Sequence, residues 1–261
     1  REGDQLYNRI FVVSAFSGVT NLLLENKKTG EPGVYHRLAK YQDFHKPLKS
    51  LIGKLKQINK QYANLGLDLA KADQFIEQHV NAAEKYLDNL ANILASGYVK
   101  KEDVLQAARE ILASIGETHS AFNFTNILQN MGINATLVDL SGLHDNRSFT
   151  IDQRIKQAFK GIDLEKTICI ATGYAKGTEG IMREFDRGYS EVTFSKIAEE
   201  LKPTEAIIHK EYHLSTADPG IVGIDNCTPV GNTNYDIADQ LADVGMEAIH
   251  PKASKPLEIN G

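Results

Sequence analysis

Apolar positions along the chain follow two rhythms. The first is a set of short unbroken runs. Residues Asn8 to Ala15 read Asn-Arg-Ile-Phe-Val-Val-Ser-Ala, and Thr167 to Thr172 read Thr-Ile-Cys-Ile-Ala-Thr. Runs this short, rich in β-branched residues, predict strands buried on both faces, as in a parallel sheet. Ile133 to Leu140 and Glu205 to His209 are predicted strands as well. The second rhythm is helical. Leu48, Leu51, Ile52, Leu55 and Ile58 share one helix face, as do Phe75, Ile76, His79 and Val80, then Ala83, Leu87, Leu90 and Leu94. The stretch predicts a helical insertion over about residues 35–95, with an antiparallel pair turning near Gly66. Further helices are expected over Val19–Glu25, Glu102–Ser114, from beyond Gly116 to Met131, Ile151–Lys160, Ser190–Leu201 and Tyr235–Gly245.

Strands that alternate with helices define an α/β protein. The expected architecture is a three-layer α/β/α arrangement around an open, mainly parallel sheet. In such sheets ligands bind beyond the carboxyl ends of the strands. Three segments lie there: Ser14–Gly18, Gly173–Thr178 and the residues after His209. No repeat, low-complexity tract or linker interrupts the pattern, so residues 1–261 read as one domain carrying the insertion.

Composition narrows the classes. With 29 Lys plus Arg against 34 Asp plus Glu, the net charge is −5. That argues against a dedicated nucleic-acid binder, which needs a concentrated basic face. Two cysteines, Cys169 and Cys227, exclude a disulfide scaffold and fit a reducing compartment. No apolar run of about 18 residues predicts a membrane span, and the charged start Arg1-Glu2-Gly3-Asp4 has no signal-peptide core. A cytoplasmic enzyme or binding domain is expected.

Several segments could carry chemistry. Gly173-Tyr174-Ala175-Lys176-Gly177-Thr178 follows a strand, and amides in such a loop suit phosphate oxygens. It is not a Walker loop, because no Gly-Lys-Ser/Thr follows. The plain alternative is a strand-to-loop turn. Arg187 precedes a predicted helix whose N-cap would be Ser190, a corner that suits a small carboxylate. A surface arginine beside a capped helix is the other reading. Glu117, read as lying at a helix start, would meet a substrate ammonium group or simply favour the helix dipole. His209 and His213 are four apart, but they follow a strand and no third ligand is near, so no metal site is expected.

Five segments, in order, resemble aspartokinase of the amino-acid kinase family. Phe11-Val12-Val13-Ser14-Ala15-Phe16-Ser17-Gly18-Val19-Thr20-Asn21 is similar to that family's Val-Ser-Ala-x-x-Gly-Val-Thr-Asn. Ser114-Ile115-Gly116-Glu117 resembles its Ser-x-Gly-Glu, and Arg187-Gly188-Tyr189-Ser190-Glu191 its Arg-Gly-Gly-Ser-Asp. Ser215-Thr216-Ala217-Asp218-Pro219 resembles its Tyr-Thr-Ala-Asp-Pro, and His250-Pro251-Lys252 its His-Pro motif. Together they span nearly the whole chain.

The resemblance implies transfer of the ATP γ-phosphoryl group to the side-chain carboxylate of aspartate, with Mg²⁺. It implies that Arg187 holds the substrate α-carboxylate and Glu117 its ammonium group, with Thr20 and Ser190 adding hydrogen bonds. Ser14, Gly18, Gly173 and Gly177 would face the phosphates. Ser215, Asp218 and Lys252 would line the nucleotide pocket. Departures from the family pattern are His209-Lys210-Glu211-Tyr212-His213 for Thr-Asp-Val-Asp-Gly, Gly220 for an Arg, and Glu191 for Asp. The stretches His209-Lys210-Glu211-Tyr212-His213-Leu214-Ser215, Phe185-Asp186-Arg187-Gly188-Tyr189-Ser190-Glu191 and Met246-Glu247-Ala248-Ile249-His250-Pro251-Lys252 resemble the branch associated with making ectoine. Lys210 would there supply positive charge near the triphosphate. The family also implies an earlier Lys-Phe-Gly-Gly-Thr-Ser strand, whose Lys is catalytic, and later ACT domains, both outside this sequence. A homodimer is the family expectation. The alternatives are a related kinase acting on glutamate or a nucleoside monophosphate, and a kinase-like binding protein without turnover.

Overall fold

A computed structural model describes residues 6–26, 29–185, 188–209, 215–217, 219–234, 236, 237 and 240. The chain divides into two compact units, Arg1–Asp186 and Arg187–Gly261.

The first unit is built on a parallel sheet. Its strands are β1 (Arg9–Val13), β2 (Ala135–Val138) and β3 (Ile168–Thr172), in the order β1-β3-β2. Val13 pairs with Thr172 and Val138 with Ala171, so all three strands finish side by side. Every residue of β3 is buried, as its unbroken apolar run requires. This is the open parallel α/β fold that the sequence predicts.

Helices follow the apolar periodicity. They are α1 (Val19–Leu23), α2 (Val34–Ala39), α3 (His45–Gln61), α4 (Leu69–Ser96), α5 (Lys101–Asn130), α6 (Ile151–Phe159) and α7 (Ile181–Phe185). The expected antiparallel pair is α3 and α4, which pack on each other. The turn passes through Gly66 at φ 94°, a left-handed conformation that glycine adopts without a Cβ clash. Asp68 caps α4 by accepting from the Lys71 amide at 3.1 Å.

One expectation fails instructively. The break at Gly116 does not occur, and α5 runs unbroken from Lys101 to Asn130. Gly116 weakens a helix locally by about 1 kcal/mol relative to alanine. Packing overrides that cost, since residues 112–121 are all buried. α5 covers one face of the sheet, where Ala121, Ala135, Ile168 and Ile170 form a core with Phe11 and Phe124 against it. The Phe11 and Phe124 rings meet edge to face, their centroids 5.4 Å apart. On its other sides α5 meets α4, α1, α2 and α7. It is the spine of the unit.

The second unit contains α8 (Tyr189–Leu201) and the short α9 (Pro219–Val222). Here a second expectation fails. α8 starts with the buried Tyr189, its N-cap is Gly188, and Ser190 lies inside the first turn. Glu205–His209 forms no strand either. Those residues are mostly exposed, and no strand among the described residues takes up their backbone groups. The predicted helix Tyr235–Gly245 lies largely outside the described residues.

Candidate active site

Two of the predicted loops meet at the carboxyl end of the sheet. Ser14–Gly18 leaves β1 and Gly173–Thr178 leaves β3, and the Gly173 amide donates to the Val13 carbonyl at 2.9 Å. The adjacency follows directly from the parallel pairing of β1 with β3. The third loop, after His209, runs into residues outside the described set.

The Ser14–Gly18 loop is fastened to the middle of α5. Ser120 Oγ donates to the Ser14 carbonyl at 2.7 Å. A Cβ on Gly116 would lie 2.7 Å from Ala15 Cβ and 3.1 Å from Val19 Cγ1. Only glycine lets the helix and the loop approach this closely. The Phe16 ring lies 5.2 Å from Tyr62 and 5.2 Å from His119. Gly18 adopts φ 80° and leads into α1. Among the described residues, the amides of Ala15, Phe16, Ser17 and Gly18 donate to no protein acceptor. Adjacent unclaimed N–H groups in a tight turn favour an anion.

Glu117 follows Gly116 and is 2% exposed. It does not lie at a helix start but mid-helix in α5, one residue beyond the glycine that meets the loop. The helix dipole therefore does not explain a carboxylate there. A buried carboxylate calls for polar or charged company. Thr20 lies half-buried on α1, which packs on α5.

The Gly173–Thr178 loop is held differently. Lys176 N donates to Leu140 O at 2.9 Å and Thr178 N to Phe149 O at 3.0 Å. Thr172 Oγ1 donates to the Tyr174 carbonyl at 2.8 Å. Three of this loop's amides, counting Gly173, thus already have protein acceptors. Lys176 Nζ donates to Gly142 O at 3.1 Å and to Asp145 O at 2.6 Å. Its pKa is lowered, chiefly by burial and then by the neighbouring Arg154 charge. A Cβ on Gly177 would lie 2.9 Å from the Ile151 amide nitrogen, so glycine lets the loop cross the start of α6.

One residue of this region escapes sequence reasoning. Glu110, on α5, accepts from Tyr174 OH at 2.8 Å, Met182 N at 2.8 Å, Arg183 N at 3.3 Å and Gln106 Nε2 at 3.1 Å. It joins the loop after β3 to the first turn of α7. Burial raises its pKa, against the lowering effect of these bonds. The available signal was an acid seven residues before Glu117, on the same helix face.

Ser190 lies in α8 of the second unit. Ser215, also there, is buried, bridges to Pro229, and donates to Ala217 O at 2.9 Å. Arg187, Lys210, Asp218 and Lys252 lie outside the described residues. Among the described residues, no three His, Cys, Asp or Glu side chains gather to hold a metal ion. No helix among them is long and apolar enough to cross a membrane.

In open parallel sheets of this kind, ligands bind in the crevice beyond the carboxyl ends of the strands, where these two loops lie. The chain matches the amino acid kinase family over residues 2–261, and it belongs to that family. It is 46% identical over 264 residues to the aspartate kinase Ask_Ect of Stutzerimonas stutzeri (strain A1501), covering 100% of this chain and 56% of that protein. It is 27% identical over 184 residues to the chloroplastic aspartokinase 1 of Arabidopsis thaliana, covering 66% of this chain and 32% of that one. The chain thus spans about half or less of these relatives. Its fold is similar to E. coli aspartokinase III in complex with aspartate and ADP (R-state), with TM-score 0.67 and 19% identity, covering 97% of this chain and 53% of that one. The same enzyme with lysine and aspartate (T-state) gives TM-score 0.61 and 20% identity, with the same coverage.

Proposed function

We propose that residues 1–261 are the catalytic domain of an aspartate kinase of the ectoine-making branch. The observation that carries this reading is the 46% identity, over the full chain, to a protein named an aspartate kinase. In the reaction, a side-chain carboxylate oxygen of aspartate attacks the γ-phosphorus of ATP. The bond between that phosphorus and the β,γ-bridging oxygen breaks, and ADP departs with 4-phospho-aspartate left behind. Such transfer depends on positioning and electrostatics more than on covalent help from the protein.

The described residues supply fitting parts. The unclaimed amides of Ala15 to Gly18 suit phosphate oxygens, and Ser14 and Gly18 bound that loop. Gly173 and Gly177 shape the neighbouring loop. The buried Glu117 suits a substrate ammonium group, with Thr20 on α1, which packs on α5. Arg187 would pair with the α-carboxylate and Ser190 would support it. Lys210, Ser215, Asp218 and Lys252 would attend the nucleotide. Mg²⁺ would enter on the nucleotide's phosphates, a habit of this ion that needs no all-protein cage. The domain would work in the cytoplasm as part of a homodimer; the two free thiols, Cys169 and Cys227, suit a reducing compartment.

Trapping with hydroxylamine tests the reading. With ATP, Mg²⁺ and aspartate, aspartyl hydroxamate should accumulate, and glutamate or UMP should give far less turnover. Binding of aspartate and ATP without hydroxamate would favour a binding protein instead. Arg187→Ala and Glu117→Gln should each raise the aspartate KM about tenfold or more, with the ATP KM changed much less. Equal effects on both constants would remove the assigned roles.

A further inference from the structure

The insertion reaches the β1 loop through a chain of buried polar and aromatic groups. Asn59, in the last turn of α3, is fully buried. Its Nδ2 donates to Asp73 Oδ1 at 2.8 Å, which turns Oδ1 toward α5. That oxygen accepts from Asn123 Nδ2 at 2.7 Å and lies 2.6 Å from His119 Nε2. His119 Nε2 also lies 3.2 Å from Asn123 Nδ2, but its shorter contact is to the Asn59 oxygen, an acceptor, which assigns the proton to Nε2. His119 Nδ1 is then a bare lone pair, and it is buried with no hydrogen-bond partner. Adding a proton there would leave a buried cation without an acceptor. The imidazole is thus held neutral, in one tautomer and one orientation.

That fixed ring faces Phe16. The second face against Phe16 is Tyr62, the C-cap of α3, three residues beyond Asn59. One loop side chain therefore meets two rings, one carried by the insertion and one held by it through Asn59. Phe16 is also the central residue of the loop whose amides, Ala15 to Gly18, donate to no protein acceptor.

We infer that the helical insertion is a positioning device for this loop: through Asn59, His119 and Tyr62 it clamps Phe16 and so presets the Ala15–Gly18 amides for the nucleotide's phosphates. His119 and Phe16 are positioning residues, since neither needs to touch the reacting atoms. The physical logic is preorganisation. Four amides aimed before binding need no ordering when the anion arrives. This inference rests on the proposed reading of the loop as phosphate-facing.

Three substitutions test it. Phe16→Ala removes the clamped ring from a loop position that is only half-buried. His119→Gln keeps an N–H for Asn59 but removes the ring that meets Phe16. Phe16→Tyr keeps the ring and should behave as wild type. Amide hydrogen exchange of residues 14–18 and ADP affinity by calorimetry are the readouts, with thermal midpoints as the folding control. Phe16→Ala and His119→Gln should each speed exchange at 14–18 by about fivefold or more and weaken ADP by about fivefold or more. The rest of α5 should keep its protection. Smaller changes in either quantity for Phe16→Ala, or a Phe16→Tyr variant as weak as Phe16→Ala, would overturn the clamp. Wild-type protein that binds no ADP would instead defeat the phosphate-facing reading, while loop exchange would still report on the clamp.

Discussion

Two loops leave neighbouring strands at the same end of the sheet, and opposite chemistry holds them. The Ser14–Gly18 loop is held by neutral contacts: a serine hydroxyl, a glycine contact, and a ring that meets Tyr62 and His119. Its own amides stay unclaimed. The Gly173–Thr178 loop is held by carboxylates and by its own backbone. Glu110 takes Tyr174 and the start of α7, while Glu179 accepts from Ile151 N at 3.1 Å. Three of its amides already have protein acceptors. The difference assigns labour. The first loop leaves its Ala15–Gly18 amides without protein acceptors, and the second is fixed beside it by its own.

Acid should act on the two holds with opposite sign, and this is the largest effect expected. His119 is lowered to about 4, mainly by burial and then by the nearby His79. His79 is lowered to about 4 by burial; His144 lowers it further and Asp139 opposes. In the unfolded chain both take a proton near pH 6.5. Between about pH 6.5 and 4 the unfolded state therefore binds more protons, and stability falls as pH falls. Each histidine can remove on the order of 3 kcal/mol across that window. Glu110 works the other way. Its raised pKa means that the fold favours its protonated form, so acidification relieves it. Urea unfolding at pH 7, 5.5 and 4 should show a steep net loss, and His119→Gln should flatten it. A stability independent of pH over that range would sink this account of the first loop.

The second hold should break more locally. Glu110→Ala removes the hydrogen bonds from Tyr174 OH and the Met182 amide, while the Arg183 amide keeps the Gly180 carbonyl at 3.1 Å. Bonds to a charged acceptor are worth about 1.5–3 kcal/mol, so a loss of about 3 kcal/mol is expected in urea. Exchange should quicken at 174–183 and stay unchanged at 14–18. Glu110→Gln keeps the shape and one acceptor oxygen, and should lose about half as much. Equal loosening of both loops by Glu110→Ala would show that they are not held separately.

How far these holds were legible depends on their distance in sequence. β1 and β3 announce themselves as apolar runs, and the paired helices α3 and α4 as helical periodicities. The small residues after each strand mark the loops. Glu117 is legible as a motif residue, although its place mid-helix is not. The clamp is hidden because His119 and Asn59 lie 60 residues apart and no period links them. Glu110 lies 64 residues from Tyr174. Gly116 misleads for the same reason. Local propensity reads a glycine as a break, whereas its function is set by Ala15 and Val19, which only the fold brings near.

Gly116 also offers the smallest and most discriminating test of the contrast. Gly116→Ala raises helix propensity in the middle of α5 by about 1 kcal/mol. It also places a methyl group 2.7 Å from Ala15 Cβ, closer than two carbons can sit, so the loop must shift. Overpacking of this kind costs about 1–3 kcal/mol. The two terms nearly offset, so a net loss of about 1 kcal/mol is expected by thermal unfolding. The strain falls on the first loop and on Val19 at the start of α1, not on the second loop. ADP affinity should therefore drop more than stability does, and exchange at 174–183 should not change. A variant that gains stability and keeps full ADP affinity would show that the first loop yields without cost. Its amides would then owe their aim to something other than contact with α5.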